Sequence, residues 1–173
     1  MSKSVVIVGA SMGGLRTAEA LRNNGFAGRI TMIGEEAHLP YNRPPLSKEV
    51  LAKEVTHEAV AFEERAATAD VNWVLGTRAV SVDQEHNTVT DSSGMVHPYS
   101  ALVIATGLRP KRLNLANGDL AGRHALRTLD DAINLRAQLT PGADVVIVGG
   151  GFIGCEVAAT AAKLGCDVTV IHH

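Results

Sequence analysis

The sequence predicts an α/β fold with buried parallel strands, and three observations predict it. An apolar, β-branched run stands near each end of the chain, a glycine-rich turn follows each run at once, and a helical stretch follows each turn. Residues 5 to 25 match residues 145 to 165 at an offset of 140, with eight of twenty-one positions identical. Such self-similarity reorganises every later assignment, so it comes first.

Each copy begins Val-Val-Ile-Val, as expected for a central strand covered on both faces. In the first copy the turn is Gly9, Ala10, Ser11, Met12, Gly13, Gly14. A helix carrying Leu15, Ala18 and Leu21 then runs to about Gly25, and a second strand covers Ile30 to Ile33. Pro40 to Pro45 cannot be regular helix, because proline lacks a donor and restricts the residue before it, so an ordered loop is expected. Val50 to Ala69 is weakly helical. Four short β-like runs follow, Asn72 to Leu75, Arg78 to Val82, Thr88 to Thr90 and Met95 to Tyr99, separated by turn residues Gly76, Asn87 and Gly94. They read as an antiparallel meander. Ala101 to Ala105 is a further strand, Arg109 to Gly122 a polar connection and Asp130 to Leu139 a short helix. The second copy turns at Gly149, Gly150, Gly151, Phe152, Ile153, Gly154, continues as an Ala-rich helix to Gly165, and ends in a strand from Val168 to Ile171.

The composition sets outer bounds. With 173 residues, 46% hydrophobic and 20% charged, the chain lies in the globular range and excludes disorder or a fibrous repeat. A formal charge of -2 offers no electropositive excess for nucleic acid. No apolar run approaches the roughly 20 residues of a membrane span, so the cytoplasm is the expected location. Cys155 and Cys166, read as lying across one helix, would stand about 16 Å apart, too far to pair. No metal is expected. The seven histidines have no metal-like spacing apart from adjacent His172 and His173, which read more simply as a solvated chain end.

A helix that starts directly after a buried strand presents backbone N–H groups and partial positive charge, so a diphosphate binds there without a basic side chain. In the G-x-G-x-x-G pattern the first glycine turns the chain, the second clears the path of the pyrophosphate, and the third lets helix and strand pack closely. Gly149, Gly151 and Gly154 meet all three requirements; in the first copy Ser11 replaces the middle glycine. One glycine turn is weak evidence, but two strand-turn-helix-strand frames in one chain point to dinucleotide binding and a Rossmann-like architecture. The acidic residue that accepts from ribose hydroxyls is Glu35, with Glu36 as a neighbouring alternative. In the second copy His172 occupies the strand end. That leaves NADH and NADPH both open.

The sequence resembles the FAD-dependent NAD(P)H:ferredoxin reductases of oxygenase systems, within the pyridine nucleotide flavin oxidoreductase family. The resemblance spans nearly the whole chain. It rests on Gly9 to Gly14, on His38 to Lys48 with its Arg-Pro-Pro-Leu-Ser-Lys run, on Ile104-Ala105-Thr106-Gly107, on Leu126-Arg127-Thr128 and on Gly149 to Glu156. The Arg-Pro-Pro-Leu-Ser-Lys run is the most specific of these.

The resemblance implies a Rossmann-like FAD-binding domain with an antiparallel meander over 1–110, a connection with a short helix over 111–142, and the start of a second Rossmann-like, NAD(P)-binding domain over 143–173. It also implies roles. The first turn, with Gly9, Ser11, Gly13 and Gly14, would hold the FAD pyrophosphate and Glu35 the adenosine ribose. Arg43 and Arg127 would hold phosphates, Thr106 and Gly107 would flank the cofactor, and the backbone of Val80 would meet adenine. Pro45 and Lys48 would border the flavin. Gly149, Gly151 and Gly154 would bind the nicotinamide dinucleotide, with Glu156, on the first turn of its helix, near the nicotinamide. Plainer readings stand beside these: Arg43 or Arg127 as surface charges, Lys48 as a solvated end, and Glu156 as a favourable charge at a helix N-terminus.

The implied activity is hydride transfer from NAD(P)H to FAD, followed by single-electron transfer to a ferredoxin-type iron-sulfur protein. Neither Cys-x-x-Cys nor Cys-x-x-x-x-Cys occurs, which argues against a disulfide relay and for electrons leaving the flavin directly. Full-length members of the family continue well past residue 173. Two strands and one helix are too little sheet to cover the apolar surfaces of the second unit, so it packs against another chain, as a homo-oligomer or complementing chain, or the sequence is a fragment. The alternatives in function are a truncated dinucleotide-binding module without turnover and an NADH oxidase-like relative.

Overall fold

The computed structural model describes residues 3–63, 66–113 and 120–172. The chain falls into two compact units, one formed by Met1–Asn42 and Ala61–Leu108, the other by Arg43–Val60 and Arg109–His173.

The first unit is organised by strand β1, Ser4–Val8, whose side chains alternate between two apolar layers. Val5 and Ile7 join Ala18, Ile30 and Met32 on the side of helix α1, Met12–Asn23. Val6 packs with Ile33 and Val89 on the opposite side. Burying Ile7 or Val6 this completely stabilises the fold by about 1.5–3 kcal/mol each. Strand β2, Arg29–Ile33, pairs with β1 in parallel register, Val8 opposite Ile33. α1 stops at Asn23, and Gly25 takes φ +79°, the left-handed conformation that ends helices.

Beyond the Pro-rich loop the weakly helical stretch is broken into short pieces. A 3-10 turn, Pro44–Ser47, follows the two prolines; then come α2, Glu49–Ala52, and α3, His57–Val60, in the second unit, and a 3-10 turn, Ala66–Thr68, in the first. Residues 64 and 65 of this stretch lie outside the described residues.

Strand β3, Asn72–Val74, corrects the expectation that four runs form the meander. It pairs parallel to β2, Thr31 opposite Asn72, and extends the main sheet. Its apolar side chains and flanking turn glycine look like those of the next three runs, and only its partner distinguishes it. The meander consists of β4, Ala79–Asp83, β5, Thr88–Asp91, and β6, Val96–Pro98, all antiparallel. Strand β7, Ala101–Ile104, then returns beside β1, so the parallel sheet has the order β3-β2-β1-β7.

In the second unit α2 packs against α4, Leu129–Arg136, and against α5, Phe152–Lys163, around Leu46, Val50, Leu51 and Leu129. Thr128 caps α4 with a complete capping box: its hydroxyl accepts from the Asp131 N–H at 3.0 Å while the Asp131 carboxylate accepts from the Thr128 N–H at 2.9 Å. Thr128→Ala is expected to cost about 1 kcal/mol, read as a lower urea midpoint; an unchanged midpoint would show the cap to be idle. Strands β8, Asp144–Val148, and β9, Asp167–Ile171, pair in parallel on either side of α5 in sequence. Val145 and Ile147 are half-buried, whereas Val146, Val148 and Ile171 are 61%, 58% and 53% exposed, so an apolar face of this two-stranded sheet is open. Because α5 ends at Lys163, Cys166 lies past the helix rather than on it; its thiol donates to the Thr140 carbonyl and that of Cys155 to the Gly150 carbonyl, each at 3.4 Å. The connection after Arg109 has neither helix nor strand in its described part, and residues 114–119 lie outside it.

Candidate functional site

Parallel strands place their C-terminal ends at one edge of a sheet, and ligands gather where the chain leaves a central strand in opposite directions. In the first unit that place is the end of β1, with β2 on one side and β7 on the other. Gly9 makes the turn with φ +121°, and its N–H donates to the Ile33 carbonyl at 2.8 Å. A Cβ on Gly9 would stand 2.1 Å from the Ala105 oxygen, and one on Gly14 would stand 2.1 Å from the Gly9 oxygen. The two glycines therefore serve the close approach of strand to strand and of helix to strand. Ser11 is the N-cap of α1, extended at φ -135°, and its side chain does not cap the helix. Gly13 meets only the Ala105 methyl, at an ordinary 3.7 Å.

The second copy reproduces this geometry closely. Gly149 has φ +119°, donates to the Ile171 carbonyl at 2.8 Å, and lies 2.0 Å from where a Cβ of Gly154 would be. Gly151, the N-cap of α5, has open space where a side chain would stand. Neither helix carries an acidic residue in its first turn. Two turns with sharp glycine corners and no carboxylate in the first helical turn present backbone N–H groups that suit an anion such as a diphosphate.

The other candidates take the following places within their own units. Glu35 is exposed just past β2, while Glu36 is half-buried and its carboxylate accepts from the Tyr41 hydroxyl. Thr106 and Gly107 follow β7, and the Thr106 nitrogen lies 3.0 Å from a Cβ built on Gly9. Val80 stands where the β4–β5 register shifts between Ala79 and Ser81, so it is the bulged residue, at the point where ladder pairing is interrupted. His172 stands at the end of β9, and the matching bonds from Gly9 to Ile33 and from Gly149 to Ile171 align it with Gly34. The position matching Glu35 is residue 173, outside the described residues. The side chain of His172 lies against the turn, its Cβ 3.0 Å from where Gly150 would carry one.

Within the second unit, Ser47 and Lys48 meet helix α5. Lys48 Nζ pairs with Glu156 Oε1 at 3.1 Å, and the Ser47 hydroxyl donates to Glu156 Oε2 at 2.5 Å. These contacts, the serine's first and the lysine's second, hold the Glu156 carboxyl below the usual glutamate range. Glu156 begins the second turn of α5, not the first as expected, so the pairing with the loop takes the place of a helix-end charge. Arg43 Nη1 donates to the backbone carbonyl of Arg127 at 2.7 Å, which joins two sequence candidates through main chain rather than through both guanidinium groups. Pro45 is half-buried, and its carbonyl accepts from the Lys48 N–H at 3.0 Å. Sequence reasoning missed Ser47 and Thr160. The Thr160 hydroxyl donates to the Ser47 carbonyl at 3.1 Å across 113 residues of sequence.

The sequence model of one family, described as pyridine nucleotide-disulphide oxidoreductase, matches residues 3–173. The chain belongs to that family. Among curated relatives it is 45% identical over 168 residues to the p-cumate 2,3-dioxygenase system ferredoxin–NAD(+) reductase component of Pseudomonas putida, covering 96% of this chain and 42% of that protein. The biphenyl dioxygenase system ferredoxin–NAD(+) reductase component of Paraburkholderia xenovorans is 43% identical, with 99% and 42% covered. A solved ferredoxin reductase for the CYP199A2 system from Rhodopseudomonas palustris superposes with a TM-score of 0.89 at 38% identity, over 97% of this chain and 42% of that one. The chain thus spans under half the length of these family members. Among the described residues no helix is long and apolar enough to cross a membrane, and no group of three or more His, Cys, Asp or Glu could hold a metal ion.

Proposed function

We propose that this chain forms the FAD-binding and the first NAD(P)H-binding part of a reductase that passes electrons to a ferredoxin-type iron-sulfur protein. The observation that carries the reading is the pair of glycine turns with one geometry, together with a lysine–glutamate pair joining the Pro-rich loop to the helix of the second turn. The kinship with ferredoxin–NAD(+) reductase components supports the acceptor class.

In this reading Gly9, Ser11, Gly13 and Gly14 cradle the FAD pyrophosphate and Glu35 accepts from the adenosine ribose. Val80 offers its backbone to adenine, Thr106 and Gly107 flank the cofactor, and Arg43 and Arg127 hold phosphates. Gly149, Gly151 and Gly154 take the nicotinamide dinucleotide. Pro45 and Lys48 border the flavin, and Glu156 approaches the nicotinamide. Bound FAD would supply the exchange between two-electron and one-electron chemistry. Lys48 contributes a preorganised cation where negative charge develops, an interaction that strengthens as water is excluded. With Cys155 and Cys166 eleven positions apart, no Cys-x-x-Cys relay is available within this chain.

The purified chain is expected to show flavin absorption near about 380 and about 450 nm and to bleach with NADH. Lys48→Met in the flavin-loaded protein is expected to slow bleaching by roughly tenfold or more, below the 100- to 1000-fold of a buried electrostatic donor because the lysine is half-exposed. Unchanged reduction kinetics would remove Lys48 from the mechanism. The chain's limited span of its relatives favours one second reading, a binding module without turnover. Colourless protein that flavin cannot reconstitute would overturn both the flavoprotein and its electron-transfer role.

A further inference from the structure

We propose that Ser47 is a positioning residue: its hydroxyl, with its backbone seated by Thr160, fixes the Glu156 carboxylate so that Lys48 is held at one place. The proposal rests on the reading of Lys48 and Glu156 given above for its functional meaning, and on the geometry of the second unit for its physical content.

The four groups form a chain of contacts with a dry end and a wet end. Ser47 and Thr160 are 4% and 8% exposed, whereas the side chains of Lys48 and Glu156 are 49% and 32% exposed. A lysine–carboxylate pair exposed to this degree has little energy to hold its own geometry, because water and ions compete for both partners. The serine changes that. Its 2.5 Å bond to Oε2 is charge-assisted and sheltered, and it leaves Oε1 directed at Lys48. The donor is itself fixed twice. Pro44 and Pro45 restrict the 3-10 turn that carries it, and the Thr160 hydroxyl holds its carbonyl. Thr160 stands four residues after Glu156, one turn along α5, so one face of the helix grips both the carbonyl and the hydroxyl of a single loop residue. The groups acting on the Glu156 carboxyl from the elements packed on α5 are Ser47 and Lys48.

The test is the titration of Glu156 in the whole chain, followed by NMR on protein labelled at the glutamate carboxyl carbons, the resonance being assigned with Glu156→Gln. The wild-type midpoint is expected below the ordinary glutamate value of 4.5. Ser47→Ala raises it toward that value, Ser47→Thr keeps it low, and Thr160→Val raises it in the same sense by less. A purely structural role would alter the unfolding midpoint and leave the titration in place. A wild-type titration retained in both Ser47→Ala and Thr160→Val, or lost in Ser47→Thr, would overturn the proposal. Should Ser47→Ala fold poorly, Thr160→Val decides alone, by the shift or its absence. The measurement requires no flavin, so a colourless protein would sink the flavoprotein reading without touching this result.

Discussion

Replacing Gly9 by alanine is expected to remove a large part of the stability of the first unit. Two costs act together. Gly9 sits at φ +121°, where a side chain is strained by about 1–3 kcal/mol. The new methyl would also fall 2.1 Å from the Ala105 oxygen and 2.5 Å from its carbonyl carbon. These are backbone atoms of the adjacent chain, tied to β1 by the Ala105 N–H bond to the Val8 carbonyl at 2.7 Å, and they cannot swing away as a flexible side chain would. Overpacking of this kind adds about 1–3 kcal/mol or more, against a total domain stability of about 5–15 kcal/mol. Gly14→Ala is expected to come next, since its methyl would meet the Gly9 oxygen at 2.1 Å. Gly149→Ala should cost less than Gly9→Ala, because it carries the same positive φ with open space beside it. Gly13→Ala should be neutral or slightly stabilising, as alanine suits a helix and the contact there is ordinary. Urea unfolding of the four variants gives the order; a Gly9→Ala midpoint equal to that of the wild type would refute the account.

Loss of the Asp91 carboxylate is the second large effect expected. Asp91 is 2% exposed at the end of β5 and organises the turn into β6 almost alone. Its Oδ1 accepts from the Ser93 N–H at 2.9 Å, the Ser93 hydroxyl at 2.6 Å and the Met95 N–H at 3.1 Å, while Oδ2 meets His97 Nε2 at 2.7 Å. The Ser93 hydroxyl first, and His97 second, hold the carboxyl down to about 2 from an ordinary 3.8. A carboxyl depressed on folding stabilises the native state fully above its unfolded value. That contribution is therefore complete above pH 3.8 and is lost as the pH falls to about 2. Asp91→Ala leaves these sheltered donors without their acceptor and is expected to lower the thermal midpoint by several degrees at neutral pH. Asp91→Asn should remove this acid-dependent portion, so its deficit against the wild type narrows between pH 4 and 2. An equal deficit at both ends would show that the charge of Asp91 is irrelevant.

Much of the candidate site was legible because its signals are local. A strand run, a glycine that must turn at a positive φ and a helix that begins within three residues leave a pattern in neighbouring positions, and both copies show it. Residues joined across distance left none. Ser47 lies beside a recognisable lysine, but its bond to Glu156 spans 109 residues, and a buried serine has no periodicity to betray it. Nothing in Asp91-Ser92-Ser93-Gly94 tells a solvated turn from one closed over a histidine six positions on.

Composition and short-range pattern thus determined the fold class, both β-α-β openings and the glycine corners, for these depend on backbone freedom and burial within a few residues. Partners were decided only by tertiary structure. Asn72–Val74 resembles the meander strands in composition but pairs with Thr31–Ile33, and Gly9 and Gly149 share one conformation but not one neighbour. The physical reason is the same in each case: strand pairing and steric enclosure are set by surfaces brought together from distant parts of the chain, and those surfaces exist only once it has folded.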